Sequence, residues 1–216
     1  MSLIVKICGL AQPEPLEAAL SGGADMVGFV FFEKSPRHLG LDQARRLSSQ
    51  ARGRAEKVAL VVDADDARVA AIIEAMAPDW LQLHGAESPE RVAALRKAFG
   101  LPILKALGIA QKADFSRVPA YEMVADRLLF DAKPPKDAVL PGGNGLSFDW
   151  ALLQEGARNL AKKDWMLSGG LDPRNVAAAI RLTGAPGVDV SSGVETAPGR
   201  KSVEKILTFI EAARAA

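Results

Sequence analysis

The chain is short of the residues that build metal centres and disulfides. It has one cysteine, Cys8, and two histidines, His38 and His84, in 216 residues. A lone cysteine excludes an intramolecular disulfide. Two histidines that form neither an H-x-H nor an H-E-x-x-H pattern argue against a catalytic zinc site, so no metal is expected. Neither sign of charge is in excess: 27 Lys and Arg stand against 26 Asp and Glu, a formal net charge of +1. That balance excludes the basic stripe by which proteins grip nucleic acid or anionic membrane. No apolar run approaches the ~20 residues of a membrane span. The start lacks a charged segment followed by an apolar one. The expectation is a cytoplasmic protein without nucleic-acid or membrane partners.

What is present is alternation. Short apolar, β-branched runs fall at 3–8, 26–32, 57–62, 80–84, 103–107, 127–131, 165–168 and 187–191. Most are too short for helices and too uniformly apolar to wet one face, which is how buried parallel strands read. Helical patterns follow nearly all of them, at 15–20, 41–51, 65–77, 89–99, 173–182 and 202–213. A weaker one spans 113–121. Ser88-Pro89-Glu90 and Asp172-Pro173 are start signals, a capping residue followed by proline in the first turn. Eight strand–helix units, with no linker or composition break, predict an α/β fold: one (β/α)8 barrel of parallel strands over 1–216 as a single catalytic domain. An open doubly wound sheet would want G-x-G-x-x-G after its first strand, and Cys8-Gly9-Leu10 is not that turn.

Barrel sites lie at the C-terminal ends of the strands. The polar residues there are Cys8, Arg37, His84, Asp131, Ser168 and Ser191. Period-two alternation puts Lys6 with Cys8, Gln82 with His84, Leu129 with Asp131, and Asp189 with Ser191 on common faces. Cys8 reads equally as a small buried hydrophobe or as a reactive group beside the room left by Gly9. Asp131, costly to bury alone, either pairs with Lys133 or Arg127 or serves chemistry. His84 reads first as structural. Arg37 is either a solvated arginine or a fork for a ligand carboxylate. Ser168-Gly169-Gly170 and Ser191-Ser192-Gly193 follow strands seven and eight, where many barrels hold phosphate on backbone N–H groups. A small phosphorylated metabolite is therefore the expected partner. Gly142-Gly143-Asn144-Gly145 reads as an active-site loop or a turn.

Lys6-Ile7-Cys8-Gly9 resembles the opening motif of the phosphoribosylanthranilate isomerases. The likeness continues through Gly28-Phe29-Val30-Phe31, Ser35-Pro36-Arg37, Leu81-Gln82-Leu83-His84-Gly85, Leu129-Phe130-Asp131, Leu167-Ser168-Gly169-Gly170-Leu171 and the stretch from Val188 to Glu195, with Pro198-Gly199 after it. Order and spacing over nearly the whole chain carry the match. The family often has Thr where this chain has Ala11, and Gly-Gly-Thr-Gly where it has Asn144.

The resemblance implies a cofactor-free Amadori rearrangement of N-(5-phosphoribosyl)anthranilate in tryptophan biosynthesis. It implies Cys8 as general base, Asp131 as general acid and Arg37 on the anthranilate carboxylate. Gly169, Gly170, Ser192 and Gly193 would hold the phosphate, with His84, Gly143 and Gly145 as further substrate contacts. The chemistry wants Asp131 raised by burial and Cys8 lowered by positive potential. The other readings are another sugar-phosphate barrel isomerase and a non-catalytic barrel that binds a phosphometabolite. A metal-dependent epimerase would want more strand-end histidines, and a triose-isomerase mechanism a strand-end Glu. The chain is expected as a monomer or homodimer.

Overall fold

In a computed structural model, eight parallel strands close into a barrel among the described residues, which are 3–135, 138, 140–143, 145–156 and 165–216. The strands are β1 (Ile4–Cys8), β2 (Met26–Val30), β3 (Glu56–Val61), β4 (Trp80–Leu83), β5 (Ile103–Ile109), β6 (Arg127–Ala132), β7 (Trp165–Leu167) and β8 (Gly187–Val190). The second run stops two residues short of the predicted 32, although the Phe31 N–H still donates to the Leu60 carbonyl at 2.8 Å. Closure comes from β1 pairing with both β2 and β8: Lys6 stands in register with Met26 on one side and Asp189 on the other.

The helices are α1 (Pro13–Ser21), α2 (Leu41–Ala51), α3 (Asp66–Met76), α4 (Pro89–Phe99), α5 (Val118–Glu122), α6 (Ala151–Gly156), α7 (Val176–Thr183) and α8 (Val203–Arg214). Asp65, Ser88 and Ser202 cap α3, α4 and α8 by accepting from the backbone N–H three residues on. The weak pattern at 113–121 resolves into a 3-10 turn, Lys112–Arg117, leading into the short α5. α6 has no counterpart in the sequence reading. α7 starts three residues later than predicted, because Asp172 turns back to accept from the N–H groups of Arg174 and Asn175. A two-stranded hairpin, Glu195–Ala197 with Arg200–Lys201, was not foreseen either. No helix among the described residues is long and apolar enough to cross a membrane.

The apolar runs are buried on both faces. Outward side chains such as Val5, Ile7, Phe29, Val61, Leu81, Leu128, Phe130 and Val188 pack under the helices. Inward ones split by height. Met26, Val58, Leu104, Ala106, Leu129 and Met166 plug the lower barrel, with Ile4 and Trp80 against them. Above them, Cys8, Val30 and Leu60 make an apolar wall on the β1–β3 side, extended by Phe32 and Val62. The helices supply matching stripes: α8 buries Ile206, Phe209, Ile210 and Ala213, an i, i+3, i+4, i+7 face. Phe209→Ala, far from the mouth, should lower unfolding stability by about 3–5 kcal/mol in urea titrations while leaving the strand-end geometry intact.

Candidate active site

The plug leaves a cavity of about 760 Å³ at the C-terminal ends of the strands, counting its open rim. Cys8 (β1), Gln82 (β4), Asp131 (β6) and Asp189 (β8) reach it from the barrel, with His84, Ser168 and Ser191 just beyond their strand ends. Arg37, Gly142, Gly143, Gly145, Gly169, Gly170 and Ser192 reach it from loops. Of the predicted site residues, Gly193 does not border it: a side chain there would lie 1.8 Å from the Leu171 carbonyl, so Gly193 serves the packing of the seventh loop on the eighth. Asn144 lies outside the described residues.

Asp131 pairs with neither predicted partner. Lys133 bonds Asp114 at 2.8 Å, and Arg127 stacks on Trp80 at the far end of β6. Lys133 lies just past the end of β6, and its side chain turns to Asp114 in the 3-10 turn after β5. Asp131 Oδ2 instead lies 3.2 Å from His84 Nε2, and its Oδ1 accepts from the Ala132 N–H at 2.8 Å. Gln82 Nε2 is 3.0 Å from His84 Nδ1. An amide that donates to Nδ1 leaves the ring proton on Nε2, facing Asp131. His84 is thus tied to the carboxylate rather than to a remote structural partner. Gly142 roofs this pair: a Cβ there would sit 2.5 Å from both Asp131 Oδ2 and His84 Nε2.

Arg37 is not a surface residue. It is 5% exposed, and its Nε and Nη2 hold Glu195 at 2.7 and 2.8 Å, a fork-to-fork pair. Nη2 also donates to the Gly143 carbonyl at 3.2 Å. Lys201, from the unforeseen hairpin, bonds Glu195 Oε1 at 2.8 Å and the Ser191 carbonyl at 2.8 Å. Burial alone would raise the Glu195 carboxyl, but Arg37 and Lys201 outweigh it and hold it below its ordinary value. Burial pulls the Lys201 ammonium down to about 8 against the opposing pull of Glu195.

Deeper in the barrel, Lys6 Nζ bonds Asp189 Oδ1 at 2.6 Å, and Ser168 Oγ donates to Asp189 Oδ2 at 3.2 Å. Burial pushes the Cys8 thiol up, with Lys6 opposing the rise and Asp189 adding to it. This corrects the expectation of a lowered thiol: in the site as it stands, desolvation outweighs the nearby cation. Gly169 and Gly170, at φ +83° and +68°, take the left-handed turn that lets backbone approach the cavity. Among the described residues no group of three or more His, Cys, Asp or Glu is placed to hold a metal ion.

Sequence reasoning missed Glu195, Lys201 and the Lys6–Asp189 pair as site groups. Lys6 and Asp189 were each readable as sharing a face with a strand-end residue. Their meeting needs barrel closure, and Lys201 needs the hairpin. Lys201 gives a pH test. Its folded pKa lies below its unfolded one, so the unfolded state binds more protons between about 8 and 10.5 and the lysine's burial penalty is relieved as pH rises through that window. In urea titrations the wild-type protein should therefore gain stability over Lys201→Met between pH 8 and 10. A flat difference would contradict this.

The comparisons agree with this architecture. Residues 5–212 match the family model described as N-(5'phosphoribosyl)anthranilate (PRA) isomerase. An N-(5'-phosphoribosyl)anthranilate isomerase of Rhodopseudomonas palustris (strain BisB5) is 61% identical over 215 residues, covering 100% of this chain and 97% of that protein. One of Nitrobacter hamburgensis is 60% identical over 216 residues, covering 100% and 95%. The solved phosphoribosyl anthranilate isomerase of Thermotoga maritima superposes with a TM-score of 0.87 at 33% identity, covering 99% of this chain and 100% of that one. A structure of such an enzyme in complex with reduced 1-(o-carboxyphenylamino)-1-deoxyribulose 5-phosphate gives 0.84 at 31% identity, with the same coverage. By its residues, its fold and these relatives, the chain belongs to the N-(5'-phosphoribosyl)anthranilate isomerase family.

Proposed function

We propose that this chain is a single-domain enzyme over 1–216 that converts N-(5-phosphoribosyl)anthranilate to 1-(2-carboxyphenylamino)-1-deoxyribulose 5-phosphate, the isomerase step of tryptophan biosynthesis in the cytoplasm. The observation that carries the reading is that Cys8, Asp131, Arg37, Gly169 and Gly170 of the loop after β7 and Ser192 of the loop after β8 border one cavity. The substrate has a sugar between a phosphate and an aromatic carboxylate, and that cavity offers a group for each part. A monomer or a homodimer would serve, since every one of these residues comes from one chain.

In the proposed mechanism the Asp131 carboxyl protonates the ribose ring oxygen, the C1–O bond breaks, and the anthranilate nitrogen takes up the positive charge as a Schiff base. The Cys8 thiolate then removes the C2 proton. The C2–H electrons form a C1–C2 double bond, giving an enolamine that tautomerises to the ketone. His84, 3.2 Å from Asp131, orients the acid and donates a hydrogen bond from Nε2 to the carboxylate left behind. Arg37, held still by Glu195, presents its remaining edge to the anthranilate carboxylate. The apolar wall of Val30, Phe32, Leu60 and Val62 suits the aromatic ring. Backbone at Gly169, Gly170 and Ser192 faces the phosphate, and Gly143 and Gly145 close over the substrate. No cofactor enters this scheme.

Freshly generated phosphoribosylanthranilate, followed by the fall of its anthranilate-type fluorescence without added metal or cofactor, tests the proposal. Wild type should consume it quickly. Asp131→Asn and Cys8→Ser should each lose about 10²–10⁴-fold in kcat, the usual scale for a positioned acid or base. Folded wild type without turnover would sink the isomerase reading and leave a barrel that binds a phosphometabolite. Normal turnover in either variant would remove that residue from its role.

A further inference from the structure

The proposed mechanism needs a thiolate at Cys8, yet burial drives that thiol toward its neutral form. Of the cations that work against this, Lys6 has the strongest effect, ahead of Lys201 from the hairpin. Lys6 lies two residues before Cys8 on β1, so both side chains point into the barrel. It is fully buried. The position of the glycine between them shows how close they come. A Cβ built on Gly28 of β2 would lie 2.9 Å from Cys8 Sγ and 3.3 Å from Lys6 Nζ. The thiol and the ammonium therefore lie within about 6 Å of each other, beside a spot that only a missing side chain leaves open.

Lys6 is also fixed in direction. Asp189 Oδ1 holds its Nζ at 2.6 Å, and Ser168 pins the other carboxylate oxygen. Burial pulls the Lys6 ammonium down, but Asp189 and then Cys8 outweigh it, so the lysine stays charged. An ion pair in a protein interior gives little net stability and is often matched by apolar replacements. Its cost is unexplained by the fold alone, since a hydrophobic pair would fill the same layer.

We propose that Lys6, clamped by Asp189, is a positioning residue whose charge makes Cys8 ionisable inside the closed barrel. The proposal rests on the reading of Cys8 as the base. The other charged groups around Cys8 act more weakly than Lys6. Lys201, approaching from the hairpin, also favours the thiolate, but less than Lys6 does, and it bonds Glu195 and Ser191. Arg37, from the loop after β2, is also spent on Glu195. His84 of the loop after β4 and Asp131 of β6 are bound to each other across the mouth.

Cys8 is the only cysteine, so thiolate absorbance at 240 nm against pH, with Cys8→Ser as blank, reports on this group alone in the intact ligand-free protein. Lys6→Met should move its midpoint up by about 1–3 pH units, the effect of a close opposite charge. The acidic limb of kcat/KM should move the same way. Should Lys6→Met alone fail to fold with Asp189 left buried, Lys6→Met/Asp189→Asn removes both charges. Its midpoint should also rise, because the thiol feels Lys6 more strongly than Asp189. An unmoved midpoint in a folded variant, whatever happens to activity, would overturn the proposal and make Lys6 a packing element. A shifted midpoint in a protein whose wild type has no turnover would uphold the coupling and overturn the isomerase reading instead.

Discussion

Everything at the mouth depends on the seam where the last strand meets the first. Parallel pairing of β8 with β1 sets Asp189 opposite Lys6, groups 183 positions apart in the chain. A sheet that failed to close there would leave two edges open to pairing and two charges without partners. Closure satisfies both at once. It also decides which residues look inward: a slip of one residue on β1 would turn Cys8 and Lys6 out toward the helices and bring Ile7 into the mouth.

From that seam the interior sorts itself by height. The lower layer is apolar and shuts the barrel, and the upper layer is split. β1 to β3 contribute the apolar wall, while β4 and β6 to β8 contribute Gln82, Asp131, Asp189 and, just past the strand end, Ser168. Asp131, Asp189 and Ser168 are each held by a group from another strand or loop, while Gln82 bonds His84 at its own strand end and keeps a buried Oε1 without a hydrogen-bond partner among the described residues. The site is therefore built of short coupled sets, Gln82–His84–Asp131, Lys6–Asp189–Ser168 and Arg37–Glu195–Lys201, rather than of independent side chains.

The fold was legible in the sequence because buried parallel strands leave uninterrupted apolar runs, and capped helices leave Ser88 or Asp65 at their starts. The strand-end rule then found Cys8, His84, Asp131 and Arg37, all of which reach the cavity. What escaped had non-local causes. The choice between a solvated Arg37 and a carboxylate fork stayed open because nothing near it in the chain announces Glu195, 158 positions on. Pairing of Asp131 with Lys133 or Arg127 was one of two open readings, but Lys133 is taken by Asp114, 19 positions back, and His84 reaches Asp131 from a different strand end. Gly193 carries the right glycine signal for a ligand loop, yet it answers a clash with the Leu171 carbonyl. Local pattern identifies where a side chain points, whereas the partner it meets is decided by the closed barrel.

The Arg37–Glu195 pair has a consequence for how an anion would be captured. The conformational entropy of a long arginine side chain is surrendered when the protein folds, not when a ligand arrives. Glu195 offsets part of its charge before any encounter, but that carboxylate is shared with Lys201. Such a group discriminates on contact, through the direction of its remaining N–H bonds. Capture of a carboxylate by this residue would then depend on shape as well as on the net positive charge that the set of Arg37, Lys201 and Glu195 retains.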